Sequence, residues 1–344
     1  MKDFEILSRD TIVAVWKNNE LKVLNNDLLP LYLKRVSNAE SWIETRAIDS
    51  HRANSRLLKK ALRLAEKDDI STVLHVHAAT ITDTYWVRDI GSNLRYEDIR
   101  FNKDYFSNLA LKGLYSSFNS AAKHKDTKTP ELTNTGSFEK CWKLRDGKWW
   151  IYKSANQKEQ FSELFVYELG KKLKMNMALY EKGDKCVKSL DFTDSAKVIF
   201  EPAFSFMGDE EDYIKVIDKL KKLCPEAIPD YIKMIFLDTV TANPDRHTGN
   251  FGLMRDVKSG KLLGLAPNFD NNMALISRGY PTSKAANDFL ITLFNELLKK
   301  YPEYKKYLPK VTENIIKKVI GKLNMKVKSQ VIVDFVINRY RAIK

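Results

Sequence analysis

The segment "TANPDRHTGNFGLM", residues 241–254, holds the residues whose types and spacing point most directly to chemistry. Asp245 and Asn250 lie five positions apart, and His247, one of five histidines in the chain, lies between them. A carboxylate and a carboxamide at this spacing in a loop are compatible with a turn, a metal site or the working loop of a phosphoryl-transfer enzyme. The rest of the chain has to discriminate among these three.

Phosphoryl transfer gives the spacing a chemical reason. In the catalytic loop of protein kinases an Asp orients the attacking hydroxyl, and an Asn five positions later coordinates a metal near the phosphates. A second metal ligand is then expected one hairpin later, where "LAPNFDNN" supplies Asp270. Upstream, Lys153 closes an apolar strand, and Glu163 follows ten residues later on a predicted helix, where it could pair with the lysine. The order Lys, Glu, Asp, Asn, Asp is more specific than any one of its members.

A loop for the phosphates is predicted just before that lysine strand. Gly136 in "NTGSFEK" allows its backbone to approach a phosphate closely, and Ser137 and neighbouring amides could donate hydrogen bonds to it. Taken singly, each residue has an ordinary alternative. A glycine before a strand is usually a turn, Lys153 could be a solvated strand end, and Glu163 could be an exposed helix residue.

The elements around these residues change character along the chain. "IVAVWKNNELKVL" predicts a hairpin that turns at Asn18-Asn19, and "FEKCWKLRDGKWWIYK" predicts another at Asp146-Gly147. Between them, the polar stretch "KHKDTKTPELTNTGS" predicts a linker or mobile loop. From residue 209 onward the pattern is mostly helical, interrupted by one hairpin.

This alternation predicts an α+β fold in which a small β-rich lobe is followed by a larger, mostly helical lobe. We expect an N-terminal α/β region of unknown role at 1–122, a small β-rich lobe with the phosphate loop at 123–205, and a helical lobe at 206–344. A β-rich lobe followed by a helical lobe is a common arrangement for holding a nucleotide.

Composition narrows the class of protein further. With 44% hydrophobic residues the chain can bury a substantial core, and no apolar run approaches the roughly 18 residues of a membrane span. "MKDFEILSRD" has no apolar signal core, and Cys141, Cys186 and Cys224 form neither a disulfide framework nor a zinc pattern. We therefore expect a soluble, cytoplasmic protein that does not contact a membrane.

The formal charge of +14 is concentrated near the C-terminus. Residues 299–344 hold thirteen Lys and Arg against three Asp and Glu. A basic surface favours polyanions, so direct nucleic-acid binding stays open. Apolar residues at helical spacing between these lysines favour the simpler interpretation, the solvated faces of amphipathic helices.

"NPDRHTGNFGLM", "LAPNFDNN" and, upstream, "SELFVYELGKKL" together resemble the HipA-like bacterial serine/threonine kinases. The resemblance covers roughly residues 130–343. It implies a two-lobed fold related to protein and phosphoinositide kinases, with ATP and Mg²⁺ as cofactors. By this match Asp245 is the catalytic residue, Asn250 and Asp270 are the metal ligands, and Lys153 contacts the nucleotide phosphates. His247 would be structural, fixing the catalytic loop through backbone hydrogen bonds.

The same resemblance assigns the remaining parts of a nucleotide site. "LTNTGSFEK" corresponds to a mobile phosphate loop that family members phosphorylate on a hydroxyl, and Thr133 lies at the matching place, with Thr135 and Ser137 as further candidates. Glu201 to Ala203 would form the hinge that meets the adenine. The family also implies a protein substrate such as an aminoacyl-tRNA synthetase, and a small DNA-binding antitoxin as partner of a toxin. The first 120 or so residues do not resemble the N-terminal subdomain of the toxin kinase.

Two other classes of function compete with a kinase. "LHVHAA" supplies His75 and His77, which with His247 could form the metal site of a hydrolase. A non-catalytic, basic nucleic-acid-binding protein would explain the charge. It would leave the order of Lys, Glu, Asp, Asn and Asp unexplained.

Overall fold

A computed structural model describes residues 3–64, 68–281 and 288–344 of the chain. The chain divides into two compact units. Unit 1 comprises Met1–Ser154, Lys188–Glu201 and Arg255–Lys261, and unit 2 comprises Ala155–Val187, Pro202–Met254 and Leu262–Lys344. The division at 122 and 205 into three functional segments stays a prediction.

Unit 1 begins with three short strands, followed by small helices and one more strand. The elements are β1 Phe4–Ser8, β2 Thr11–Lys17, β3 Glu20–Val23, α1 Leu31–Val36, α2 Ala39–Glu44, α3 Ser55–Ala61, α4 Asp69–Leu74, β4 Tyr85–Asp89, α5 Tyr96–Ile99, α6 Ser107–Lys112 and α7 Tyr115–Ala122. A 3₁₀ turn at Pro130–Thr133 precedes the hairpin β5 Lys140–Arg145 and β6 Lys148–Ser154. The first four strands form a sheet in the order β3-β2-β1-β4.

Both hairpins predicted in this unit are confirmed. Asn18 and Asn19 have φ of 51° and 61°, and Asp146 and Gly147 have φ of 50° and 73°. Two successive positive φ values match the right-handed twist of the strands, and Asn, Asp and Gly tolerate them best. The hairpin β5–β6 pairs Lys140 with Lys153 across its open end.

Two hydrophobic clusters build the core of unit 1. One of them joins Leu7, Trp86 and Leu132 to Trp142 and Trp149 of the β5–β6 hairpin. The N-terminal region and this hairpin therefore share one core. Because Leu132 belongs to it and is fully buried, residues 130–134 do not form the exposed linker that their polarity predicts.

Unit 2 is mostly helical, and the unit boundary falls within β8, β9 and β10. The elements from residue 155 onward are α8 Gln157–Lys172, β7 Tyr180–Gly183, β8 Cys186–Leu190, β9 Val198–Pro202, α9 Phe204–Met207, α10 Tyr213–Leu223, α11 Ile228–Thr241, β10 Gly252–Asp256, β11 Leu262–Leu265, α12 Phe289–Lys300, α13 Glu313–Leu323 and α14 Ser329–Arg341, with 3₁₀ turns at Pro225–Ala227 and Pro302–Tyr307. Two further sheets have the orders β5-β6-β8-β7 and β11-β10-β9.

Two helices of unit 2 position residues of the candidate site: α8 contains Glu163, and α11 leads into residues 243–251. Helix α8 begins at a capping box in which Asn156 accepts from the Glu159 amide and Glu159 accepts from the Asn156 amide. Helix α11 ends at Thr241, and the capping residue Ala242, with a left-handed φ of 50°, turns the chain into residues 243–251. Among the described residues no helix is long and apolar enough to cross a membrane.

Candidate active site

The loop between α11 and β10 is held to the end of its own helix. Asp238, in the last turn of α11, is fully buried. Its backbone carbonyl accepts from the Asn243 amide at 2.9 Å, and its carboxylate accepts from Asn243 Nδ2 at 2.9 Å. The Asn243 side-chain oxygen in turn accepts from the Asp245 amide at 3.3 Å. The backbone that leads into Asp245 is therefore fixed, while the Asp245 residue itself is only partly buried.

Arg246 is the central residue of this loop. Its guanidinium forms a two-point ion pair with Asp238, with N–O distances of 2.8 and 2.9 Å. It also donates to the carbonyls of Asn250 and Phe269, both at 2.6 Å. Its remaining acceptors are side-chain oxygens at 2.6 to 3.0 Å, those of Asn268 and Asn271. Arg246 thus joins the loop of Asp245 and Asn250 to the loop of Asp270.

The electrostatics of Arg246 fit this structural role. Burial acts to lower its pKa, but the carboxylates of Asp238, Asp270 and Glu163 together outweigh burial, and the pKa lies above its ordinary value. The guanidinium therefore stays charged and supplies a permanent cation beneath the loop. The sequence pattern singles out the Asp and the His on either side of Arg246 but not Arg246 itself.

Asn250 is anchored through one end of its carboxamide. Its Nδ2 donates to the Asp245 carbonyl at 2.9 Å, and its backbone amide donates to the His247 carbonyl at 2.8 Å. Since the amide nitrogen is engaged within the loop, the Oδ1 atom is the end that can serve as a ligand. A carboxamide oxygen of this kind suits a hard cation.

The loop that carries Asp270 is fixed from several sides. Asp270 has a φ of 59°, and its amide donates to the Tyr180 hydroxyl at 2.9 Å. The next residue, Asn271, is fully buried and donates its amide to Glu163 Oε1 at 2.8 Å. Glu163 is itself fully buried on α8, so its assignment as an inward-facing helix glutamate agrees with its position. The ion pair of Glu163 with Lys153 stays a prediction.

His247 lies exposed within the loop between α11 and β10. Its Nδ1 accepts from the Gly249 amide at 3.0 Å, and a Cβ at position 249 would lie 2.8 Å from its ring. This short contact with the backbone agrees with a structural role, although the buried Arg246 makes many more contacts. Neither His75, which follows the end of α4, nor His77 lies on a strand, where two histidines at alternate positions would point the same way.

The hydrolase alternative also lacks a ligand cluster. Within residues 3–64, 68–281 and 288–344, no three His, Cys, Asp or Glu side chains form a group that could hold a metal ion. A site of Asn250 and Asp270 is of a different kind, since it contains one carboxylate and one carboxamide, as Mg²⁺ sites completed by phosphates and water often do.

The phosphate-loop residues lie in unit 1. Gly136 has a φ of +94°, a conformation that favours glycine, and both Gly136 and Ser137 are exposed. Lys153 is half-buried at the end of β6, and its ammonium lies 4.5 Å from the centre of the Phe138 ring. Thr133, by contrast, is buried and donates its hydroxyl to the Ala79 carbonyl at 2.7 Å. In this conformation Thr133 is not presented for modification, and its phosphorylation stays a prediction.

The predicted hinge residues have definite partners. The Glu201 side chain is buried and accepts from Arg255 Nη1 at 2.8 Å and from the Tyr85 hydroxyl at 2.9 Å. Burial raises the pKa of Glu201 even though Arg255 opposes the shift. Ala203 donates its amide to the Phe251 carbonyl at 2.8 Å. That amide is engaged, so an adenine contact at the hinge would use other backbone atoms, and the assignment stays a prediction.

Comparisons with known proteins bear on the fold. No family model matches the chain, and no curated protein matches it. It is similar to the solved structure of HipA from Shewanella oneidensis MR-1, crystallised with HipB and operator DNA, with 13% identity, a TM-score of 0.54, and coverage of 98% of this chain and 97% of that chain. It is also similar to the Helicobacter pylori proinflammatory kinase CtkA, with 17% identity, a TM-score of 0.45, and coverage of 59% of this chain and 90% of that chain.

The likeness to HipA spans nearly the whole chain. It therefore extends into the N-terminal region, which the sequence resemblance did not reach. The chain has the α+β, two-lobed kinase-like fold predicted from its sequence, and its resemblance to the HipA-like kinases is confirmed at the level of the fold.

Proposed function

We propose that the protein is an ATP- and Mg²⁺-dependent phosphotransferase, specifically a serine/threonine protein kinase. The observation that carries the proposal is the hydrogen-bonding of Arg246 to the carbonyls of Asn250 and Phe269. Phe269 directly precedes Asp270, and Asp245 directly precedes Arg246. One buried cation therefore fixes the backbone beside all three residues that the kinase interpretation requires.

Asn250 and Asp270 fit the hard-cation chemistry of Mg²⁺. Both offer oxygen ligands, and the Asn250 amide nitrogen is already bonded to the Asp245 carbonyl. When bound, Mg²⁺ would neutralise charge on the nucleotide phosphates. The protein groups would do the rest by position: Asp245 would orient the acceptor hydroxyl and accept its proton, because its carboxylate belongs to a backbone fixed at both ends.

The remaining proposed roles concern the nucleotide. Lys153 would contact the phosphates, and Glu163 would orient that lysine. Gly136 and Ser137 would supply backbone and hydroxyl donors, as their exposure on a glycine turn allows. Glu201 and Ala203 would border the adenine. We include these six residues in the proposal on the strength of the sequence pattern.

Partners and substrate are proposed from the same resemblance. The HipA structure to which the chain is similar contains HipB and operator DNA. We propose a small DNA-binding antitoxin as a partner of this chain, and a protein such as an aminoacyl-tRNA synthetase as the substrate. Co-expression with the product of a neighbouring gene, followed by size-exclusion chromatography, tests the first part.

Nucleotide-dependent stabilisation tests the cofactor assignment. Mg²⁺-ATP at a hundred times its dissociation constant should stabilise the fold by about 2.7 kcal/mol. Asp270→Ala should remove most of the part that depends on Mg²⁺, whereas Asp230→Ala, at a partly exposed acid on α11, should leave it unchanged. A wild-type melting temperature indifferent to Mg²⁺-ATP would contradict the proposal.

A further inference from the structure

The two ends of the phosphate loop, Asn134 and Lys140, are joined by a residue of the N-terminal region, and we call these joined ends the base of the loop. Arg52, in the segment between α2 and α3, is almost fully buried. Its Nη1 donates to the Asn134 carbonyl at 2.8 Å, and its Nη2 donates to the Lys140 carbonyl at 2.5 Å. These two carbonyls lie on either side of residues 135–139, so a single guanidinium ties the two ends of the loop together.

Further hydrogen bonds strengthen the same base. Glu131 is fully buried and accepts from the Trp142 amide at 2.7 Å and from Asn134 Nδ2 at 3.2 Å. On the other side, Glu139 accepts from the Asn54 amide at 3.1 Å. Both ends of the loop are therefore attached to their surroundings, and the N-terminal region provides two of the donors.

The tip of the loop is arranged differently. Residues 135–137 are exposed, and Gly136 adopts the positive φ noted above. A Cβ at Gly136 would lie 2.6 Å from Lys140 Nζ, so the Lys140 side chain folds back over the loop. Phe138 contacts the ammonium of Lys153. The Lys140 ammonium thus lies beside the tip, and the Lys153 ammonium lies beside the neighbouring Phe138.

We propose that Arg52 is a positioning residue for the nucleotide phosphates, acting through the base of the phosphate loop. This inference rests on the proposed kinase function. The physical reason is the planar guanidinium, which presents two parallel donors to two carbonyls at once, as a lysine ammonium on a flexible stem does not. The N-terminal region then contributes to nucleotide affinity without touching the nucleotide.

The experiment compares Arg52→Lys with Arg88→Lys. Arg88 is also a largely buried arginine of the N-terminal region, but within the described part of the chain it donates to Glu5 and to the Leu94 carbonyl rather than to residues 135–139. Amide hydrogen exchange of residues 135–138 is measured in the ligand-free protein. Dissociation constants are then measured for Mg²⁺-ATP and for adenosine, which lacks phosphates.

Arg52→Lys should speed exchange at residues 135–138 and raise the dissociation constant for Mg²⁺-ATP about tenfold, because misplaced donors lose much of their binding energy. Adenosine affinity should not change, and Arg88→Lys should affect neither readout. Unchanged loop exchange, or equal weakening of ATP and adenosine, would overturn the inference. If Arg52→Lys does not fold, Glu139→Ala, at a half-buried side chain, should shift both readouts in the same direction by less.

Failure of the kinase proposal gives a different result. In that case the wild-type protein would not bind Mg²⁺-ATP at all. Hydrogen exchange at residues 135–138 in Arg52→Lys would still show whether Arg52 holds the base of the loop, because that measurement needs no nucleotide. Faster exchange in Arg52→Lys, with the same Mg²⁺-ATP affinity in Arg52→Lys as in the wild type, would overturn the positioning role alone.

Discussion

The proposed catalytic loop, residues 243–251, and the proposed phosphate loop, residues 135–139, are each held by a buried arginine, but to different degrees. Arg246 lies within its own loop, forms a two-point ion pair with Asp238, and bonds four further oxygens. Arg52 lies far from its loop in sequence and bonds two carbonyls at the loop base. The catalytic loop is thereby fixed near its functional residues, whereas the phosphate loop is fixed only at its base.

This difference matches the two kinds of chemistry expected. A group that orients a hydroxyl for attack must be preorganised, because a small misplacement costs a large factor in rate. A loop that admits and releases a nucleotide gains from an exposed, adjustable tip. The following predictions test whether the two loops differ in this way.

The largest effect is expected from removing the cation of the catalytic loop. Arg246→Leu leaves Asp238 buried without its partner, which should lower the free energy of unfolding by about 3–5 kcal/mol. Urea denaturation measures it. As a control, Lys233→Leu breaks a partly exposed ion pair with Asp230 on α11, the helix that also contains Asp238. It should lower the free energy of unfolding by less than about 1 kcal/mol. Equal losses in the two variants would show that Arg246 is not a structural centre.

A smaller, pH-dependent effect is expected at the base of the phosphate loop. Burial raises the pKa of Glu131 from 4.5 to about 7, although Arg52 acts to lower it. The folded protein therefore holds this proton more tightly than the unfolded chain. The stability that the protonated Glu131 contributes is fully present below pH 4.5 and is lost as the pH rises towards 7.

Glu131→Gln removes this titration and so measures it. The free energy of unfolding of the variant, relative to wild type, should rise by about 3 kcal/mol between pH 4.5 and pH 7.5. Denaturation of both proteins across this range isolates Glu131, since other groups titrate in both. A difference that stays flat with pH would mean that the carboxylate is ionised throughout and paired with Arg52.

The smallest structural effect is expected at the loop tip, where we predict self-phosphorylation. Thr135 and Ser137 are exposed, while Thr133 must leave the core before its hydroxyl can react. After incubation with Mg²⁺-ATP, mass spectrometry of the peptide covering residues 129–140 should show phosphate on Thr135 or Ser137 first. Added negative charge there should weaken ATP binding. Modification confined to Thr133 would indicate that residues 130–134 detach readily.

Local signals in the sequence account for much of the fold and part of the site. Asn18-Asn19 and Asp146-Gly147 define their hairpins because these residue types tolerate positive φ. The spacing of Asp245 and Asn250 marked the loop that the structure places between α11 and β10. Such features depend on neighbours in the chain, so a sequence pattern is sufficient to find them.

Features that depend on distant residues were not predictable. Arg246 donates hydrogen bonds to Asp238, Asn268 and Asn271, and no local sequence pattern indicates that these residues lie together. Residues 130–134 look like a polar linker, yet Leu132 fills a core and Arg52 closes the following loop. The signal that could have found Arg246 is its position directly after Asp245, since an arginine there has five N–H donors that the carbonyls of neighbouring loops can accept from.

In the proposed function, the loop of Asp245 performs phosphoryl transfer. The most direct measurement is transfer of label from γ-labelled ATP to protein, compared for wild type, Asp245→Ala and the control Asp230→Ala. We expect Asp245→Ala to bind Mg²⁺-ATP as well as wild type but to transfer on the order of 10²–10⁴ times more slowly, with Asp230→Ala unaffected. Full transfer by Asp245→Ala, in a preparation where wild type is active, would contradict the account.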